Sequence, residues 1–173
     1  MKLLVVVDMQ NDFVTGSLGS PQAAAAAPRV AEKIRKARSE GAEVAFTMDT
    51  HGADYLATQE GRRLPVPHTV KGTPGWELCP EVRAAAEGMD CRVFEKGAFG
   101  SPELAAYLRE RGFHEVELVG VCTDICVISN AMLAKAFLPE ARVAVDASCC
   151  AGVTPEAHST ALASMKSVQI DVL

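Results

Sequence analysis

"KLLVVVD", residues 2–8, is the stretch from which the fold can be read: five apolar residues, three of them consecutive valines, run without a break into a carboxylate. A strand with one wet face alternates apolar and polar side chains. A continuous apolar, β-branched run predicts instead a strand buried on both faces, as in a parallel sheet covered by helices. Further short apolar or alternating runs follow at 43–48 (EVAFTM), 91–94 (CRVF), 115–119 (EVELV), 142–145 (RVAV) and 168–172 (VQIDV).

Helical patterns separate most of these strands. Residues 28–40 place Val30, Ile34 and Ala37 on one face, with Gly41 as a stop and the alanine run 23–27 as a lead-in. "SPEL" at 101–104 and "TPEA" at 154–157 each offer a hydroxyl N-cap, Pro at the first helical position and Glu in the first turn. Residues 125–137, ended by Pro139, and 155–165 give two more helical stretches. Alternation of this kind predicts a doubly wound α/β fold, and 173 residues suffice for one domain spanning 1–173 with a substantial core. Residues 50–79 show no periodicity and are rich in Pro and Gly, which predicts a long functional loop.

Composition narrows the class. A net charge of -5 without a basic block gives no footprint for nucleic acid or an anionic membrane, so the expected partner is a small molecule. The apolar run at the start stops at Asp8, short of a signal-peptide core, and nothing approaches the length of a membrane span. The expectation is a cytoplasmic protein whose six cysteines (79, 91, 122, 126, 149 and 150) stay reduced.

Open α/β sheets bind ligands beyond the carboxyl ends of their strands. Four consecutive strand ends deliver reactive groups there: Asp8; Asp49 with His51; Glu95 with Lys96; and the turn "GVCTDICV" at 120–127. With Asp124 as helix cap, Cys126 falls in a first turn, where free N–H groups and the helix dipole favour a thiolate. Cys126 is then the nucleophile, Asp8 its base, Lys96 a nearby cation, and backbone N–H groups of the turn that holds Cys122 and Cys126 a candidate oxyanion hole. Cys79, Cys91, Cys149 and Cys150 are expected to be inert core thiols, and Cys122 to matter through its backbone or as a redox partner of Cys126. Asp49, His51, Glu60 and His68 supply nitrogen and oxygen ligands for a zinc- or iron-like ion, although D-x-H is a weak motif by itself. His114 is expected at the surface and His158 in a structural role.

"VVVDMQNDF", "FEKGAFGS" and "GVCTDICV" together resemble, in order and spacing, the signature segments of the isochorismatase-like cysteine hydrolases. The resemblance implies a three-layer α/β/α sandwich on a six-stranded parallel sheet, an Asp8–Lys96–Cys126 triad, and a cis peptide before Cys122 that helps form the oxyanion hole. Within that family, "DTH" followed by "PVPHTVKGTPGWEL" is similar to the metal segment of the nicotinamidases. It implies Asp49, His51 and His68 as ligands with Glu60 as a fourth, a divalent metal (zinc foremost, iron or manganese as alternatives), hydrolysis of nicotinamide to nicotinate and ammonia, and a homo-oligomer. The chain departs from that subgroup at Thr50, Gly52 and Thr69, where Trp, Pro and Cys are usual, and is short between Gly52 and His68. Phe13 is left as the ring contact, with Trp76 either in the pocket or in the core. The competing expectations are an amidohydrolase for carbamoyl or ureido compounds, a binding protein, and a Cys122/Cys126 redox sensor.

Overall fold

In a computed structural model, which describes residues 1–173, six strands form one parallel sheet: β1 Lys2–Val7, β2 Glu43–Asp49, β3 Arg92–Lys96, β4 Glu115–Val121, β5 Arg142–Ala151 and β6 Asp171–Val172. Their order is β3-β2-β1-β4-β5-β6, and every adjacent pair is parallel. The order reverses between β1 and β4, which is where such sheets open a crevice. The helices are α1 Asn11–Val14, α2 Pro21–Ser39, α3 Gln59–Arg63, α4 Pro80–Ala85, α5 Pro102–Arg111, α6 Ile128–Phe137 and α7 Pro155–Ser167.

The pleat of β1 divides the core. Leu4 and Val6 pack with Val30 and Ile34 of α2, whereas Leu3, Val5 and Val7 pack with Leu104 and Leu108 of α5, Ala131 of α6 and Met165 of α7. All five side chains are buried, as the unbroken apolar run requires. No helix is long and apolar enough to cross a membrane.

Several boundaries differ from expectation for identifiable reasons. Helix α2 starts at Pro21, seven residues before Pro28, because Ser20 caps it by accepting from Ala23 N–H at 3.0 Å. Burial of Ala23, Ala26 and Ala27 then extends the stripe of Val30 and Ile34, and Pro28 is tolerated on the exposed face. The run 168–172 is strand only at its end, because α7 continues to Ser167 and Gln169 turns through a positive φ of 65°. Residues 50–79 are ordered by a 3₁₀ turn at Tyr55–Ala57, helix α3, and isolated bridges from His51 to Val70 and from Gln10 to Leu78. Their structure is non-periodic, which is why hydrophobic pattern did not reveal it.

Gly120, opposite Val7 in the sheet, has φ of +120°, and a Cβ there would lie 2.1 Å from the Val7 carbonyl oxygen. Gly41 also has a positive φ, 71°, but open space around it. Gly120→Ala is expected to cost at least about 3 kcal/mol in denaturant unfolding, and Gly41→Ala only about 1–2 kcal/mol. Equal costs at the two positions would contradict this account of the β1–β4 approach.

Candidate active site

The last residue of β3 and the first residue after β1 meet at the crevice. Lys96 Nζ lies 2.6 Å from Asp8 Oδ2, 3.2 Å from Asp49 Oδ1 and 3.4 Å from Cys126 Sγ. Asp8 and Lys96 are 0% and 3% exposed, so one ammonium is held among two carboxylates and a thiol with almost no water. The Asp8–Lys96 contact is an ion pair without hydrogen-bond alignment at Oδ2, while Asp8 Oδ1 accepts from the Thr47 hydroxyl at 2.6 Å. Asp8 has φ of 48°, an uncommon value for a non-glycine residue and of the kind that clusters at functional sites.

The charges respond to burial. Desolvation raises the Asp8 carboxyl above the usual range and outweighs the opposing pull of Lys96. Desolvation and then the nearby Asp8 charge push the Cys126 thiol well up, against Lys96. This corrects the expected resting thiolate. Asp124 does not cap the helix; it lies inside a π-helical turn, Thr123–Val127, and its Oδ1 accepts from Val153 N–H at 3.0 Å. Cys126 therefore rests as a thiol beside a carboxylate of raised proton affinity, an arrangement suited to transferring the proton when a substrate arrives.

The peptide between Val121 and Cys122 is cis, and the Cys122 N–H donates to no protein group. Burial pushes the Cys122 thiol up to about 12, so its side chain is a poor second nucleophile. The Cys122 N–H remains available to an anion beside Cys126.

A second group adjoins the first through Asp49. Asp49 Oδ2 lies 3.0 Å from His51 Nε2 and 3.5 Å from His68 Nε2, and Glu60 Oε1 lies 3.7 Å from both histidine nitrogens. His68 Nδ1 lies 2.8 Å from the Val66 carbonyl, which can only accept, so the proton is on Nδ1 and the Nε2 lone pair faces Asp49. His51 Nε2 is buried without an aligned hydrogen-bond partner. Ligand atoms of Asp49, His51 and His68 lie within 4.8 Å of one another, all three residues buried. Converging lone pairs and an orphaned buried nitrogen fit a divalent ion of the zinc type. Burial would raise Asp49, but the two histidines beside it and the charge of Lys96 hold it far below the ordinary carboxylate range.

The backbone around this group is locked by Gln10 and Thr69, to which the sequence assigned no role. Gln10 accepts from Asp49 N–H at 2.8 Å and donates to the Asp49 and Trp76 carbonyls at 2.9 and 2.8 Å. Thr69, at φ of 44°, donates its hydroxyl to Asp49 Oδ2 and its N–H to Asp12 Oδ2, each at 2.8 Å. The Tyr55 ring packs tilted against His51, with centroids 4.7 Å apart, and edge-on against His68 at 4.9 Å. Trp76 donates to the Thr50 hydroxyl at 2.9 Å and belongs to the loop scaffold. His114 is exposed, and His158 pairs with Thr123 at 2.8 Å.

A cavity of about 410 Å³ joins the two groups, lined by Asp49, Glu60 and His68 on one part and Cys122 and Cys126 on another. Phe13, whose ring lies 5.5 Å from His68, contributes to its apolar wall together with Leu18, Leu64, Phe99 and Ile125. The structure thus brings together every residue expected at the site. The only clue to Gln10 was its place near Asp8, and Thr69 stood out only as a departure from the expected Cys beside His68.

Comparison with known proteins agrees with this geometry. The isochorismatase domain model matches residues 2–173. A nicotinamidase/pyrazinamidase of Mycobacterium tuberculosis (strain ATCC 25618 / H37Rv) is 33% identical, with 100% of this chain and 98% of that protein covered. The crystal structure of a Pyrococcus horikoshii pyrazinamidase in complex with zinc superposes with a TM-score of 0.86 at 32% identity, covering 99% of this chain and 98% of the other. An N-carbamoylsarcosine amidase from Thermoplasma acidophilum superposes with a TM-score of 0.81 at 28% identity over 99% of this chain and 94% of its own. Matched from its second residue to its last, with Asp8, Lys96 and Cys126 gathered at the sheet's switch point, the chain belongs to the isochorismatase family.

Proposed function

We propose that this chain is a cysteine amidohydrolase that converts nicotinamide and water to nicotinate and ammonia. The observation that carries the reading is a single cavity lined both by a thiol beside a buried carboxylate–ammonium pair and by Asp49 and His68 of a buried Asp-His-His group. The first suits acyl transfer. The second suits a pyridine nitrogen.

Asp8 accepts the Cys126 proton as sulfur attacks the carboxamide carbon, and the developing oxyanion is held by the N–H groups of Cys122 and Cys126. Lys96 keeps the pocket from accumulating negative charge as the thiol ionises. Asp8 returns its proton to the departing nitrogen, so ammonia leaves and a thioester remains. It then takes a proton from water, which adds to the thioester, releasing nicotinate and restoring the thiol. Asp49, His51 and His68, with Glu60 beside them, would hold a divalent ion, whose bound chemistry is to offer a Lewis-acid position to a ring nitrogen. Phe13 contributes an apolar face to the ring.

Ammonia release measures the proposal. Cys126→Ala is expected to lower kcat by at least about a thousandfold with the fold retained. Benzamide, which lacks the ring nitrogen, is expected to have a kcat/KM roughly tenfold or more below that of nicotinamide. His51→Ala is expected to lose metal, read by elemental analysis, and to narrow that preference. A metal-free protein inert toward both nicotinamide and pyrazinamide would overturn the reading in favour of a carbamoyl or ureido amide.

Thr47→Val tests the base. The Thr47 hydroxyl bonds to the charged form of Asp8 and so lowers its proton affinity; without that bond Asp8 deprotonates only at higher pH. The acid limb of kcat/KM is therefore expected to move to higher pH, with a stability loss of about 1–3 kcal/mol from the stranded oxygen. An acid limb that stays in place or moves to lower pH would remove Asp8 from this role.

A further inference from the structure

Asn130 sits on α6 one turn beyond Cys126, is 1% exposed, and belongs to neither group just described. Its carboxamide is saturated by backbone. Oδ1 accepts from Ser101 N–H at 2.9 Å, and Nδ2 donates to the Phe99 carbonyl at 3.1 Å and to the Cys126 carbonyl at 2.8 Å. The three partners come from two separate pieces of chain: the turn that carries Cys126 and the segment 97–101 that leaves β3 just after Lys96. Both pieces line the cavity, one with Cys126 and the other with Phe99, which is 47% exposed.

The fit between these pieces is close. A Cβ at Gly100 would come within 2.7 Å of Leu133 Cδ1 on α6, so the segment lies directly on the helix. Ser101 then caps α5, accepting from Leu104 N–H at 3.1 Å. Holding a helix to a loop by packing alone would call for an apolar side chain at position 130. A buried amide with three directed bonds instead fixes the two backbones at one separation, and each bond demands its own geometry.

We propose that Asn130 is a positioning residue that sets the Phe99 wall at a fixed distance from Cys126, so that a substrate's ring contact and its attacked carbon are held in register; the proposal rests on Cys126 being the nucleophile. The bond to the Cys126 carbonyl steadies the nucleophile's turn. The bonds to Phe99 and Ser101 steady the wall. These are separable, because the first spans i to i−4 within the helix, which a threonine hydroxyl also makes, whereas the other two need the reach of the longer amide.

Asn130→Ala, Asn130→Thr and Phe99→Ala, with the two double variants, separate the arms. Asn130→Ala is expected to lose on the order of 10- to 100-fold in kcat/KM for nicotinamide, since misplacement by about an ångström costs that much. Asn130→Thr is expected to recover kcat to within about threefold of the parent while KM stays about tenfold raised. Phe99→Ala is expected to raise KM in the parent but to add little in either Asn130 variant, a non-additivity that a merely structural asparagine would not produce. Additive effects of Asn130→Thr and Phe99→Ala, or an unchanged KM in Asn130→Thr, would overturn the proposal even where Asn130→Ala fails to fold. Should the parent itself leave nicotinamide intact, iodoacetamide labelling of Cys126 decides. A roughly fivefold slowing in Asn130→Ala that is reversed in Asn130→Thr supports the positioning role, and equal rates in all three proteins refute it.

Discussion

The Lys96 ammonium, buried against Asp8, Asp49 and Cys126, is the interaction on which the rest of the site depends. Taking any of these charges out of water is unfavourable, and a buried ion left without its partner typically costs about 3–5 kcal/mol. One cation does not neutralise two carboxylates, so the surplus negative charge must be accommodated by directed bonds. The hydroxyls of Thr47 and Thr69 take that part. Burial, with the neighbouring carboxylate charges adding to it, sets the chemistry: it leaves Asp8 and Cys126 both with raised proton affinities and so able to exchange one proton between them.

Strand order makes this meeting possible. Lys96, Asp49 and Asp8 end three strands that lie side by side as β3, β2 and β1, while Cys126 follows β4 on the other side of β1. Parallel pairing aligns all four carboxyl ends, with Asp49 opposite Lys96 and Val7 opposite Gly120. Residues separated by up to 118 positions therefore need only their strand termini to converge. The segment 50–79 closes over this edge, anchored by Gln10, Asp12 and Thr69, and brings His51, Glu60 and His68 to Asp49.

Much of this was legible in residue order alone. The unbroken run ending in Asp8 implied burial on both faces, and chemistry-bearing residues at successive strand ends implied a shared edge. Helix starts marked by Ser101 and Thr154 were explicit, since a cap followed by Pro is a local signal. Other features were not local. The proline within α2 reads as a helix start, and only the packing of the alanines against the sheet shows that the helix begins earlier. Gln10, Thr69 and Asn130 each bond to groups far away in sequence, Gln10 to Asp49 and Trp76, Thr69 to Asp12 and Asp49, and Asn130 to Phe99 and Ser101, for which no periodicity or spacing exists. The protonation of Cys126 was misjudged because a helix terminus and a lysine were weighed without the burial and the Asp8 charge that oppose them.

The central claim is that Cys126, activated by Asp8 and Lys96, carries the acyl group during hydrolysis. Mass spectrometry of enzyme acid-quenched during nicotinamide turnover tests it most directly. The account predicts a nicotinoyl group bound as a thioester to the peptide containing Cys126, released by hydroxylamine and absent in Asp8→Asn. Steady turnover with Cys126 unmodified, or the acyl group on another residue, would contradict it.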